Sequence, residues 1–178
     1  MTEQEWFASD DPAGMLTVLK VLTPESQRGP ALGRKLRLFA RACCRLNGSD
    51  SEGVDVYEQT GFIDDLREKC RDSEWARVWI ATGAGVAQVT KSVILRDIIG
   101  NPFRPVDKEA LVLRYPWELK VKPLAQSIYN DRAFDLMPVL ADAMEEAGCT
   151  DAAILDHCRG PGPHVRGCWV LDLILGKS

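Results

Sequence analysis

The spacing of apolar side chains predicts a long helix in the middle of the chain. Apolar residues recur at steps of three and four between Asp72 and Gly100, the period that places side chains on one helix face. Most of the remaining circumference is apolar too, which is typical of a helix that neighbours bury on several sides. Gly100 suits a left-handed C-terminal position, and Pro102 cannot continue the helix. We therefore predict a central helix over about residues 73–99, surrounded by shorter helices.

Further helices are predicted on both sides of this segment. Thr2 and Glu5 have the spacing of a capping box, and Pro12 suits a first helical turn. Residues 34–46 are amphipathic, whereas the Gly- and Pro-rich residues 23–33 predict a loop. Other predicted helices cover about residues 54–60, 62–70, 123–129, 136–147, 150–160 and 164–175.

Composition favours one soluble, cytoplasmic domain. A chain of 178 residues, 46% of them apolar, can bury roughly 70% of its unfolded surface, so we predict a compact all-α, multi-helix bundle over residues 1–178. The net charge of −4 gives no general attraction to nucleic acid or to an anionic membrane. The N-terminus lacks a signal pattern, and no run approaches the ~20 apolar residues of a membrane helix. We expect the six cysteines to stay reduced.

Three parts of the sequence resemble a bacterial family. They are the opening T-E-Q-E-W (2–6), the runs KLRLFARACCR (35–45) and RDIIGNPFRP (96–105), and the tail HCRGPGPHVRGCW (157–169). In this order, and over nearly the full chain, they are similar to an uncharacterised, heavily paralogous family of planctomycete type. No activity, ligand or catalytic residue is established for that family, so the resemblance implies none here.

Both histidines of the chain lie close to several cysteines near the C-terminus. The candidate zinc ligands are Cys149, His157, His164 and Cys168. If residues 164–168 are helical, His164 and Cys168 lie one turn apart on the same face, a spacing that can hold two ligands of a tetrahedral zinc. The segment has no C-x-x-C pair, and free cysteine is among the most often buried residues. We therefore favour structural thiols and predict no cofactor, with zinc as the alternative.

Arginines supply the other candidate binding residues. One predicted helix face carries Arg34, Arg37, Arg41 and Arg45. Two Pro- and Gly-rich turns carry Arg104, Arg159, His164 and Arg166. The helix face can follow a nucleic-acid backbone or pair with acidic residues, and the turns can bind an anion or serve as rigid connections. We favour the structural alternative in each case.

No catalytic residue is predicted. The sequence shows no nucleophile elbow and no recognisable base motif, and carboxylates such as Asp64, Asp65, Asp97 and Asp131 are interpreted as helix-surface residues. The leading hypothesis is a non-enzymatic interaction or regulatory module with a protein partner. The alternatives are a protein that binds nucleic acid or anions through its arginines, and a small zinc-stabilised domain.

Overall fold

The computed structural model describes residues 1–23, 30–46, 86–104, 106, 117 and 119–177. These ranges contain no β-strand, in agreement with the predicted all-α class, and none of their helices has the length and apolar composition needed to cross a bilayer. The helices are α1 (Glu3–Ala8), α2 (Pro12–Leu22), α3 (Pro30–Leu46), α4 (Gln88–Ile99), α5 (Val121–Asp131), α6 (Met137–Glu146), α7 (Ala152–Arg159) and α8 (Trp169–Leu175), with a 3₁₀ turn at Phe134–Leu136.

The central helix, α4, begins later than its apolar pattern predicts. Ala87 has φ −59° and ψ 145°, which is not helical, and residues 73–85 lie outside the described part of the chain. The predicted end is confirmed, because Gly100 has φ 76° and its N–H donates to the carbonyl of Arg96. A Cβ at Gly100 would lie 3.0 Å from the Trp169 ring, so glycine also permits close packing on α8. Helix α4 packs against α2, α3 and α8 and keeps a central place.

The starts of α1 and α2 agree with the capping signals in the sequence, whereas the start of α3 does not agree with its prediction. The capping box of Thr2 and Glu5 is present, and Pro12 lies in the first turn of α2. Helix α3 starts at Pro30 rather than at residue 34, because proline suits a first helical turn and Leu32 in the added turn packs on the N-terminal side of the molecule. The helices predicted over 54–60 and 62–70 lie outside the described residues.

The C-terminal helix is shorter than predicted. Helix α8 begins at Trp169, and residues 164–168 form a turn rather than the start of a helix. The reason is local, because Gly167 has φ 92°, which a continuing helix does not allow. The prediction that His164 and Cys168 share a helix face is therefore wrong, although the turn brings the two residues together.

The buried apolar side chains of the described residues form two hydrophobic cores. The N-terminal core consists of apolar residues of α1 to α4, with Trp6, Met15, Phe39 and Ile94 among its largest buried members. The C-terminal core consists mainly of apolar residues of α5 to α8, including Ile128, Met137, Leu140 and Ile154. Helix α4 of the first core contacts α8 of the second. Polar groups buried near this junction form the site described next.

Candidate metal centre

Four side chains with metal-binding atoms converge between α4 and the C-terminal segment. Asp97 lies in the last turn of α4, His157 lies in α7, His164 lies in the following loop, and Cys168 directly precedes α8. One ligand atom of each residue lies within 4.8 Å of the other three. We call this group the four-residue site. No second such group of His, Cys, Asp or Glu occurs in the described part of the chain.

Asp97 lies at the centre of the four-residue site. Its Oδ1 is 2.7 Å from His164 Nδ1 and 3.1 Å from His157 Nε2. Its Oδ2 accepts a hydrogen bond of 2.9 Å from the backbone N–H of Val165. The side chain is only 3% exposed, so these contacts replace the water that a carboxylate otherwise binds. One oxygen of Asp97 thus faces both imidazoles, while the backbone holds the other.

The electrostatics of the site keep Asp97 ionised and Cys168 protonated. Burial favours the neutral form of Asp97, but the hydrogen bonds from His157 and His164 outweigh it, and the pKa of this carboxyl is lowered. Burial, and secondarily the charge of Asp97, raises the pKa of the Cys168 thiol well above its usual range. A metal ion that binds Cys168 must therefore displace a proton from its sulfur.

The turn over residues 164–168 is positioned by its packing against α3. Gly167 has φ 92°, and a Cβ there would lie 2.7 Å from Leu38 Cδ1. Glycine therefore allows the turn to approach α3 closely enough to direct His164 and Cys168 toward Asp97. The His157 ring packs edge-on to His164 at a centroid distance of 4.9 Å and lies 5.2 Å from the Trp169 ring. These contacts fix both imidazoles beside the carboxylate.

Three of the four predicted zinc ligands meet in this site, and one does not. Cys149 lies in the C-terminal core, outside the four-residue site. The favoured interpretation as structural thiols suits Cys149 and Cys158, but it does not account for the convergence of His157, His164 and Cys168 on a carboxylate. The fourth member is Asp97, so its interpretation as a helix-surface residue is wrong. The signal in the sequence was an acid surrounded by isoleucine and leucine in Ile94–Ile99.

The predicted basic face of α3 does not exist as one exposed row. Arg34 binds Asp172 through two nitrogens, at 2.6 and 3.1 Å, and donates to the hydroxyl of Tyr129. Arg41 is buried, and Arg37 and Arg45 are partly buried. The helix turns this side toward the protein because Asp172 and Tyr129 of the C-terminal half supply polar partners there. The four arginines therefore do not form one exposed row, and nucleic-acid binding through them stays a prediction.

The arginines of the two turns mostly serve structural connections. Arg104 is 78% exposed, with a nitrogen 2.9 Å from a carboxylate oxygen of Glu3. Arg159 pairs with Asp142 and Glu145 on the surface. Arg166 donates to the backbone carbonyls of Tyr129 and Asn130 in the last turn of α5. Arg159 and Arg166 thus contact neighbouring helices, whereas Arg104 is exposed and pairs with a carboxylate, so anion binding at the two turns stays a prediction.

The arrangement of Cys168, His157 and Asp97 does not match that of a catalytic cysteine with a histidine base. The same atom, His157 Nε2, lies 3.2 Å from Cys168 Sγ and 3.1 Å from Asp97 Oδ1. In a Cys–His–Asp triad, the thiol and the carboxylate contact different ring nitrogens, so that one nitrogen takes the proton while the other is held. Cys168 is also fully buried and its thiol pKa is raised, which removes the thiolate that a nucleophile needs.

Comparison of the chain with protein-family models, with curated proteins and with solved structures gives no significant match. The resemblance to a bacterial family therefore stays a prediction. A buried group of one Asp, two His and one Cys that can hold a metal ion is what the molecule itself shows.

Proposed function

We propose that the chain is a helical domain organised by one bound divalent transition-metal ion, for which zinc is the best match. The donor set is one carboxylate oxygen, two imidazole nitrogens and one sulfur. Zinc accepts these donors in four-coordinate sites, whereas Mg²⁺ and Ca²⁺ prefer oxygen. The observation that carries the proposal is the approach of all four donor atoms to within 4.8 Å of one another.

The surroundings of the donors also fit an ion. The N–H of Val165 binds the outer oxygen of Asp97, the kind of support that orients carboxylate ligands of metals. The carboxylate and the thiolate would together balance the charge of a divalent cation.

The proposed role of the metal is to join the two cores. Asp97 belongs to α4 of the N-terminal core, whereas His157, His164 and Cys168 belong to the C-terminal segment. Because an unfolded chain does not hold these four residues together, the free energy of binding adds to the free energy of folding. The protein-interaction hypothesis stays a prediction about the surface, and the metal centre would provide the rigid scaffold for it.

Metal analysis of two matched variants tests this proposal. Cys168 and Cys158 are both fully buried, but only Cys168 belongs to the four-residue site. We expect the wild type and Cys158→Ala to bind close to one zinc per chain, and Cys168→Ala to lose at least about 100-fold in affinity, measured by competition with a chromophoric chelator. Cobalt(II) should give a sulfur-to-cobalt charge-transfer band only when Cys168 is present.

Two results would reject the proposal. One is a folded wild-type protein that takes up no zinc or cobalt above a buffer blank. The other is an equal loss of affinity in Cys158→Ala and Cys168→Ala, which would mean that general core damage, and not a ligand, is responsible.

A further inference from the structure

A large cavity adjoins the four-residue site on one side. Its volume is about 1010 Å³, which is in the range of sites for organic molecules. Asp97, His157 and His164 line it, whereas Cys168 does not. His157 is the most exposed member of the site, at 19% of its side chain, and Cys168 is fully buried. An ion held by these residues would have the sulfur behind it and the cavity in front of it.

The cavity wall offers apolar surface next to the site. Trp169 stands beside His157, and the wall continues over Ile99, Pro163 and Leu173. Aromatic and aliphatic walls with a small number of polar groups are typical of pockets for small organic ligands. The body of a ligand would therefore be apolar.

The charged groups of the wall favour an anionic head. Arg96 lines the cavity, and its described hydrogen bonds go to the uncharged backbone carbonyls of Trp6 and Ser9. Asp10, which does not line the cavity, is the acid whose charge acts on Arg96.

Most acids of the same wall are already engaged. Glu3 pairs with Arg104, Asp172 pairs with Arg34, and Asp151 caps α7. Asp156 is exposed at the rim, on the solvent side of α7.

We propose that this cavity binds a small organic anion with an apolar body, and that the oxygen donors of the anion reach the metal as additional ligands. Zinc and cobalt can add a fifth ligand to four protein ligands, so no residue of the site must leave. The inference rests on the metal centre proposed above. It assigns to that centre a ligand-binding function in addition to its structural one.

Hydroxamates test this inference, because they combine a metal-binding anion with a chosen body. Cobalt-loaded protein is titrated with benzohydroxamate and with acetohydroxamate while the visible spectrum is recorded. We expect a saturable change of the cobalt bands with the sulfur charge-transfer band retained. Benzohydroxamate should bind about tenfold more tightly than acetohydroxamate, because its ring buries additional apolar area.

Neighbouring alanines of α7 supply a matched pair of variants. Ala152 and Ala153 are both exposed, but only Ala153 lines the cavity, one helical turn before His157. Ala153→Trp should weaken benzohydroxamate binding at least about tenfold by filling the cavity. Ala152→Trp should leave that affinity unchanged, and both variants should keep the cobalt spectrum of the wild type.

Three results would overturn the inference. They are a cobalt spectrum that does not respond to either hydroxamate, loss of the charge-transfer band because the probe strips the metal, and an equal effect of the two tryptophan variants. Failure of the protein to bind cobalt at all rejects the metal centre itself, so the two proposals fail in distinguishable ways.

Discussion

Asp97 and Asp172 are two buried carboxylates near the same junction, and their partners differ in one chemical property. Both side chains are 3% exposed or less. Asp172 faces the guanidinium of Arg34, which does not give up its proton in proteins. Asp97 faces two imidazoles and lies beside a thiol that also contacts His157, and these groups can exchange a proton for a metal ion. Two residues of the same type therefore have different roles: Asp172 forms an ion pair with Arg34, and Asp97 belongs to a candidate metal centre.

The comparison teaches that burial of an acid does not identify its role. Burial opposes the charge of Arg34, but the hydrogen bond and the charge of Asp172 outweigh it, so the pKa of Arg34 is raised and the pair stays ionised. This pair ties α3 to α8 permanently. The four-residue site ties α4 to the C-terminal segment through two imidazoles and a thiol, which are groups that can bind a metal ion. The predictions below separate these two kinds of junction.

The largest loss of stability is expected for Asp172→Asn. This change leaves the charge of Arg34 without its counterion at a mostly buried position, which typically costs about 3 kcal/mol or more. Urea unfolding of the metal-free protein measures the loss. Asp142→Asn serves as the control. It removes a surface ion pair with Arg159 and should leave the unfolding midpoint unchanged. Equal midpoints for the two variants would show that the Arg34 pair does not stabilise the fold.

The same change at the other acid should act on the metal instead. Asp97→Asn is expected to lower zinc affinity about 100-fold, which is about 2.7 kcal/mol, whereas Asp172→Asn should leave it within about threefold. In the metal-free protein, Asp97→Asn should cost only about 1–2 kcal/mol, because it weakens hydrogen bonds but leaves no buried guanidinium without its counterion. Chelator competition and urea unfolding measure the two quantities. Similar zinc affinities for the two variants would remove the distinction between the acids.

A pair of glycine variants tests the turn that carries His164 and Cys168 without changing either acid. Gly167 and Gly148 have similar φ values, 92° and 91°, so alanine strains the backbone by about 1–2 kcal/mol at both positions. Only at Gly167 would the new Cβ also collide with Leu38. We therefore expect Gly167→Ala to cost about 2–3 kcal/mol and to weaken zinc binding, and Gly148→Ala to change stability alone. Urea unfolding and zinc competition are measured on both variants. Equal losses of stability and equal zinc affinities would contradict the prediction.

The smallest effect is the pH dependence of the metal-free protein. The pKa of Asp97 is lower in the folded state than its ordinary value of 3.8, so the unfolded chain binds more protons in the acidic range. The resulting stabilisation is present above about pH 3.8 and is lost as the pH falls through the folded pKa. The difference in unfolding midpoint between wild type and Asp97→Asn should therefore shrink from pH 6 to pH 3. A difference that grows on acidification would contradict the lowered pKa.

Much of the secondary structure could be predicted because its signals are local. Thr2 and Glu5 cap α1, Pro12 begins α2, and Gly100 ends α4, each through the geometry of a few neighbouring residues. The errors also have local causes, since Pro30 adds a turn to α3 and Gly167 removes one from α8. The helical part of the prediction therefore follows from capping and backbone conformation.

The sequence alone determined an all-α chain and a segment in which two histidines and a cysteine lie close enough along the chain to bind the same metal ion. Only the tertiary structure decided that Asp97, 67 residues before His164, completes the group, and that Arg34 faces inward to Asp172. The physical reason is that periodicity predicts which face of a helix is buried, but not which partner it meets there. A buried acid depends on that partner, and the packing of the two cores determines whether it is a guanidinium or an imidazole.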